Sequence, residues 1–352
     1  MKKLILSIGA VALMVTVAVT AAVAKTAASA DVCVLLPDTK SSPRWEQFDR
    51  PDISAALKKA GVSFSVANAL NDAQKQKSQA DQCLSNGAKV LIIVNIDPAS
   101  AAAIERDAAT KGAKSIDYDR QTIGGTASLY VSFDGGSVGV VQGKGLLAGL
   151  KAHGMLAKKP VIAELNGGKT DSNAFLFKKG YDSVLNPLYK NGTLVKGPDQ
   201  FVPGWLATNA QPIFDQMLIK TNNKIDGAIA ANDNIASAIV ASLKAHKLGP
   251  IALTGQDASI VGAQNVLAGW QSMTVYKPVP LEAAAVAKAA VQLLKGQKFT
   301  GINASFPNGA KKEAAVLIPV VSVTKANVTR LFKDKFLKKS DVCVGDYKKF
   351  CK

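Results

Sequence analysis

Seven short clusters hold the side chains with which this sequence could do chemistry: Arg44-Trp45, Tyr118-Asp119-Arg120, Asp171-Ser172-Asn173, Gly204-Trp205, Asn232-Asp233, Gln256-Asp257 and Tyr276-Lys277-Pro278. Every hydroxyl of a polyol both donates and accepts, so a site for one needs donors from Arg and Lys, acceptors from Asp, and both from Asn. Charge-assisted bonds of this kind contribute about 1.5–3 kcal/mol each. The apolar face of a sugar ring also needs a flat aromatic surface, and two of only three tryptophans, Trp45 and Trp205, fall in these clusters. Taken singly, a loop Asp commonly caps a helix and a loop Arg commonly sits in water. Their joint placement points to carbohydrate recognition.

Other chemistries fit less well. The two histidines, His153 and His246, end helical patterns shortly before glycine, where they face a helix C-terminus and serve poorly as a general base. Gly168-Lys169-Thr170 follows a strand pattern, but a phosphate-cradling loop needs glycine where Ala163 stands. No G-x-G-x-x-G opens a helix, which removes the dinucleotide fingerprint. A carbohydrate-processing enzyme stays as a rival, because Asp171 and Asp257 could serve as its two carboxylates.

The clusters must be positioned by regular elements. Apolar, β-branched runs at residues 32–36, 62–66, 90–94, 114–116, 129–132, 161–165, 227–230, 251–253, 272–275 and 315–321 read as strands. Helical patterns at 51–60, 72–85, 98–111, 138–153, 173–185, 210–219, 235–244 and 281–294 alternate with them. The alternation predicts an α/β fold of parallel sheets with helices on both faces. The Gly135-Gly136 pair is the expected break between two sheets, with a hinge near residues 133–137. Ligands settle at strand carboxyl ends in such sheets, and two facing sheets make a cleft. All seven clusters fall at or near such ends.

Length and composition agree with two domains: 352 residues, 48% hydrophobic and 20% charged, with mean hydropathy +0.12. The net charge of +17 invites a nucleic-acid reading, yet the lysines are scattered singly and in pairs with no basic block, and none is expected as partner. Lys2-Lys3, an apolar stretch over residues 4–23 and small-residue patterns ending at Ala24 or Ala30 read as a secretory signal peptide over residues 1–30. Its removal at Ala30 leaves a net charge of +14. Export to a periplasm or extracellular space suits four cysteines. Three pairings are open to Cys33, Cys83, Cys343 and Cys351, and the simplest joins 33 to 83 and 343 to 351.

The clusters, with Tyr130-Val131-Ser132-Phe133-Asp134, Leu176-Phe177, Asn222-Asn223-Lys224-Ile225-Asp226 and Gly255-Gln256-Asp257-Ala258, resemble the periplasmic sugar-binding proteins of ABC transporters over residues 32–328. The resemblance implies two Rossmann-like lobes with parallel sheets joined by a three-strand hinge, the type I periplasmic-binding-protein fold. Residues 31–134 and 278–318 would form one lobe, and 135–277 and 319–352 the other with a basic, cysteine-containing tail. The chain would cross near Asp134, Lys277 and Pro319. Arg44, Arg120, Asp171, Asn173, Asn232, Asp257 and Lys277 would bond the hydroxyls, and Trp45 and Trp205 would stack on the ring. The implied function is non-enzymatic capture of a monosaccharide, an aldopentose with D-xylose first and another aldose as alternative. Delivery to an ABC permease by a monomer follows, with no cofactor and no metal. A sugar-responsive transcription regulator shares the two lobes but needs an N-terminal helix-turn-helix where the leader stands. Two departures from the family pattern, Ser172 in place of Asn and the 38–43 loop, bear on the choice of sugar.

Overall fold

The computed structural model describes residues 30–351. The leader expected at residues 1–30 thus lies outside the described residues, save Ala30. The first strand, β1 (Val32–Leu36), is buried at every position; an unbroken apolar run of this kind suits a parallel sheet covered on both faces. It is followed by α1 (Arg50–Lys59), β2 (Phe64–Asn68), α2 (Ala73–Ser85), β3 (Val90–Ile93), α3 (Pro98–Thr110), β4 (Lys114–Tyr118) and β5 (Tyr130–Phe133). The alternation continues through α4 (Gly135–Ala152), β6 (Val161–Asn166), α5 (Ser172–Lys190), β7 (Val195–Phe201), α6 (Ala207–Lys220), β8 (Gly227–Ala230), α7 (Asp233–Ala245), β9 (Ala252–Leu253), α8 (Ile260–Ala268) and β10 (Thr274–Tyr276). The chain then forms α9 (Val279–Leu294), β11 (Ala304–Asn308), β12 (Lys311–Ile318), β13 (Val321–Val323), α10 (Thr329–Lys333) and α11 (Lys339–Val342).

Two mainly parallel sheets result. One runs β11-β12-β5-β4-β3-β1-β2, with only β11 antiparallel, and the other runs β7-β6-β8-β9, parallel throughout. Alternate residues of β1 enter different cores: Val32, Val34 and Leu36 pack with α1 and α9, whereas Cys33 and Leu35 pack with α2 and α3. The second sheet has its own core, to which Val138, Leu146 and Leu150 of α4 belong. The chain passes from the first lobe to the second at Asp134, between β5 and α4, and returns at Lys277, between β10 and α9. A third passage at Pro319 leads from β12 to β13, which pairs antiparallel with β10. Phe133, Tyr276 and Val323 from these passages form a separate core with Leu331, Phe336 and Leu337 of the tail.

Several boundaries differ from the sequence reading. Helix α4 begins at Gly135 rather than 138, because Asp134 caps it by accepting the N–H of Ser137 at 3.0 Å. The apolar run at 315–321 is two strands, since Pro319 has no N–H and ends β12. Strands β7 and β11 and helix α8 were not foreseen. Both strands contain proline and lie at sheet edges, where a missing ladder donor is tolerated. The sulfurs are bonded as Cys33–Cys83 and Cys343–Cys351. Among the described residues no helix is long and apolar enough to cross a membrane.

Candidate functional site

Strand carboxyl ends from both lobes open on one cavity of about 20 Å³, room for about one water. All nine residues picked out as ligands from the sequence line it: Arg44, Trp45, Arg120, Asp171, Asn173, Trp205, Asn232, Asp257 and Lys277. Five more join them, namely Ser41, Ser42, Asp119, Phe177 and Gln256. Asp119 and Gln256 sit in the clusters already noted, and Ser41 and Ser42 lie in the departing 38–43 loop. Ser172 faces a separate groove with Ile123 and Phe175, so its departure from the family pattern does not touch the cavity.

Helix capping puts two of these side chains in place. Asp171 accepts the N–H of Asn173 at 2.9 Å to cap α5, and Asn232 accepts that of Ile235 at 2.9 Å to cap α7. Capping and cavity lining are therefore one placement, because a helix following a parallel strand starts at the strand's carboxyl end. The histidines take the roles read for them, as His153 and His246 close α4 and α7. Among the described residues no group of His, Cys, Asp or Glu is arranged to hold a metal ion.

The cavity walls are charged, buried and joined across the lobes. Arg44 donates to Asp49 twice, at 2.8 and 2.6 Å, to Asp119 at 2.6 Å and to Glu282 at 2.7 Å. A guanidinium has five N–H groups, so one is left for the cavity, and Arg44 is more anchor than ligand. Arg120 Nε lies 3.0 Å from Asp171 Oδ2, and Lys277 Nζ lies 2.8 Å from Asp257 Oδ1. Ser42 donates to Asp257 at 2.8 Å, Asn232 to the Ser41 carbonyl at 3.0 Å, and Asn173 to the Asp119 carbonyl at 2.8 Å. Burial works against a charged Asp119, but Arg44, Lys277 and Arg120 outweigh it and hold its carboxyl below the usual range. Burial wins at Asp171 and Glu282, which are pushed up despite Arg120 and Arg44 respectively.

The aromatic walls are fixed as firmly. Trp45 donates to Ser41 Oγ at 3.1 Å, and the guanidiniums of Arg44 and Arg120 lie 4.6 and 5.3 Å from its ring centroid. Trp205 stands edge-on to Phe177 with centroids 6.2 Å apart. A side chain at Gly167 would overlap the Trp205 indole, so that glycine is what admits the ring. Trp205, Asp119 and Asp257 all hold positive φ, at 60°, 62° and 92°. Such backbone costs on the order of 1–3 kcal/mol at a non-glycine residue and gathers at ligand sites. Four buried polar atoms of the cavity, Arg120 Nε, Trp205 Nε1, Gln256 Oε1 and Asp257 Oδ1, have no aligned hydrogen-bond partner. Their neighbours within ion-pair distance do not satisfy that geometry, and each is a polar valence that a ligand could meet.

Two lobes of parallel sheet with a polar cavity between them correspond to a known family. The family model for the periplasmic binding protein domain matches residues 33–298. The chain belongs to the periplasmic binding protein family. It is 33% identical over 301 residues to the D-xylose-binding periplasmic protein of Escherichia coli, covering 85% of this chain and 88% of that one. It is 31% identical to the multiple sugar-binding periplasmic receptor ChvE of Rhizobium radiobacter, covering 86% and 89%. Among solved structures, an ABC transporter solute-binding protein from Clostridium phytofermentans with bound β-D-glucose superposes with a TM-score of 0.82. It shares 29% identity and covers 88% of this chain and 99% of the other. That superposition bears out the two-lobed α/β architecture read from the sequence.

Proposed function

We propose that this chain is an exported, non-enzymatic receptor that captures one monosaccharide between its lobes and delivers it to an ABC permease, with D-xylose the first-choice cargo. The observation that carries the reading is the meeting of three cations, several carboxylates and two indoles from both lobes at a single buried cavity. Hydroxyls that both donate and accept can enter the Arg120–Asp171 and Lys277–Asp257 pairs and meet the four unaligned polar atoms. The ring's apolar face then meets Trp45 and Trp205. A monosaccharide needs more room than about 20 Å³, so entry requires the lobes to part about the three passages at Asp134, Lys277 and Pro319. Micromolar affinity corresponds to about −8 kcal/mol, within reach of three to five charge-assisted bonds after the cost of closure.

A second reading, capture of a hexose such as glucose, is favoured by the multiple-sugar receptor and the glucose-bound structure among the similar proteins. A thermal-shift panel of monosaccharides on the purified mature chain separates the two. A ligand that binds only the folded state raises stability by RT ln(1 + [L]/Kd). The first reading expects the largest rise with D-xylose, the second with a hexose. No shift with any aldose contradicts both.

A further inference from the structure

Asp233 lies immediately behind the cavity and does not line it. It opens α7 and is 1% exposed. Its Oδ2 accepts the backbone N–H of Ser259 at 2.9 Å and the Ser259 hydroxyl at 3.1 Å. Its Oδ1 accepts from Gln271 Nε2 at 2.9 Å and from the Thr274 hydroxyl at 2.8 Å. The Thr274 oxygen in turn accepts the backbone N–H of Ala258 at 3.2 Å. Both N–H groups that follow Asp257 are therefore tied to this one carboxylate, the second directly and the first through Thr274. The segment needs tying, because Asp257 and Ala258 adopt consecutive positive φ values of 92° and 50° without being glycine. The sequence has made space for the carboxylate as well. A side chain at Gly255 or at Gly262 would overlap it, so both positions are kept bare.

We infer that Asp233 is a positioning residue for sugar recognition, whose carboxylate locks the left-handed turn at Asp257 and thereby aims the Asp257 side chain into the cavity between Ser42 and Lys277. This rests on the reading that Asp257 meets the sugar. Burial raises this carboxyl to about 7, and above that pH the ionised form accepts at all four of the positions used here, so the test is run at about pH 8. An amide presents an NH₂ group to one pair of donors and must lose those bonds.

Calorimetric titration with D-xylose tests it on the mature chain, in the native background and in Asp257→Asn. Asp233→Asn and Thr274→Val are each expected to weaken binding by about tenfold or more in the native background. In the Asp257→Asn background they should change it by about twofold at most, while each lowers the melting temperature equally in both backgrounds. Thr274→Val removes only the link to Ala258 and keeps the test available if Asp233→Asn does not fold. Equal weakening in both backgrounds, or unchanged affinity in the native one, overturns the positioning role while leaving the sugar site intact. Unchanged affinity in Asp257→Asn alone overturns the sugar role of Asp257, and the positioning role falls with it.

Discussion

Asp171 shows how one side chain can serve both the fold and the site. Its Oδ1 caps α5 and its Oδ2 faces Arg120 at 3.0 Å. Asparagine is as good an N-cap as aspartate, so Asp171→Asn separates the two roles. We expect D-xylose affinity to fall by about ten- to a hundredfold, the worth of one charge-assisted bond, with the cap kept and only the loss of the buried Arg120 pair lowering the melting temperature. A lower melting temperature with intact affinity assigns Asp171 to the fold alone. Trp205 does not separate so cleanly. The sequence offers it as a stacking platform, but the ring also packs in the second lobe's core against Phe177 and Gly167. Trp205→Ala should thus lose both sugar affinity and about 3 kcal/mol or more of stability, read by titration and chemical denaturation. At this scale the residue types were legible and their competition was not. Arg and Asp stand out in a sequence as hydroxyl partners, yet nothing there says that Asp49, Asp119 and Glu282 take up four N–H groups of Arg44.

The elements that carry these residues were legible wherever a single physical pattern fixes them. Apolar runs bounded by turns gave β1 and β8 to the residue, because both strands are buried on two faces. Strand β7, with Gly197 and Pro198 and mostly exposed positions, has no such pattern and is held by pairing with β6. The loop after β4 that bears Arg120 is braced by a carboxyl cluster that no spacing in the sequence announces. Asp117 accepts from the N–H and hydroxyl of Thr122, each at 2.6 Å, and Glu313 accepts from Gln121 at 3.0 Å and Asn308 at 3.1 Å. Burial, with Glu105 adding to it, pushes Glu313 up to about 7. Burial and the charges of Glu105 and Glu313 likewise raise Asp117 well above the carboxylate range. Glutamine imitates the protonated acid in shape and charge, so Glu313→Gln should flatten the dependence of melting temperature on pH around neutrality. An unchanged pH profile in a thermal melt contradicts a protonated Glu313.

For the molecule as a whole the same linkage sets the sign of its response to pH. A carboxyl whose folded pKa lies above its unfolded value keeps extra protons in the native state. Its contribution is full below the unfolded pKa and is lost as pH rises through the folded one. Asp233, raised by burial from 3.8 to about 7, and Glu313 both behave this way. Asp119, held low by its cations against burial, contributes the other way and is lost only as pH falls below the usual carboxylate range. The balance of these groups therefore puts maximal stability at about pH 4, with a decline through about pH 7. A melting temperature that rises from pH 5 to 8 contradicts that balance.

Covalent bonds add a second whole-molecule device. Cys33–Cys83 closes a separation of 50 residues between β1 and α2, and in the chain-entropy picture such a link stabilises by about 4 kcal/mol. Reducing agent should lower the melting temperature by several degrees, and Cys33→Ser with Cys83→Ser should reproduce most of that loss. The two-lobed architecture was readable from the βαβ alternation. The tail's part in the core at the passages was not, since Phe336 stacks on Phe48 with centroids 4.2 Å apart across nearly the whole length of the chain.

One crystal structure grown with saturating D-xylose tests the central claim most directly. The account predicts a single pentose between the lobes, flanked by the indoles of Trp45 and Trp205. Its hydroxyls should be bonded to Arg120, Asp171, Asp257 and Lys277. Pentose bound elsewhere on the surface, or those side chains turned away from a bound sugar, contradicts it.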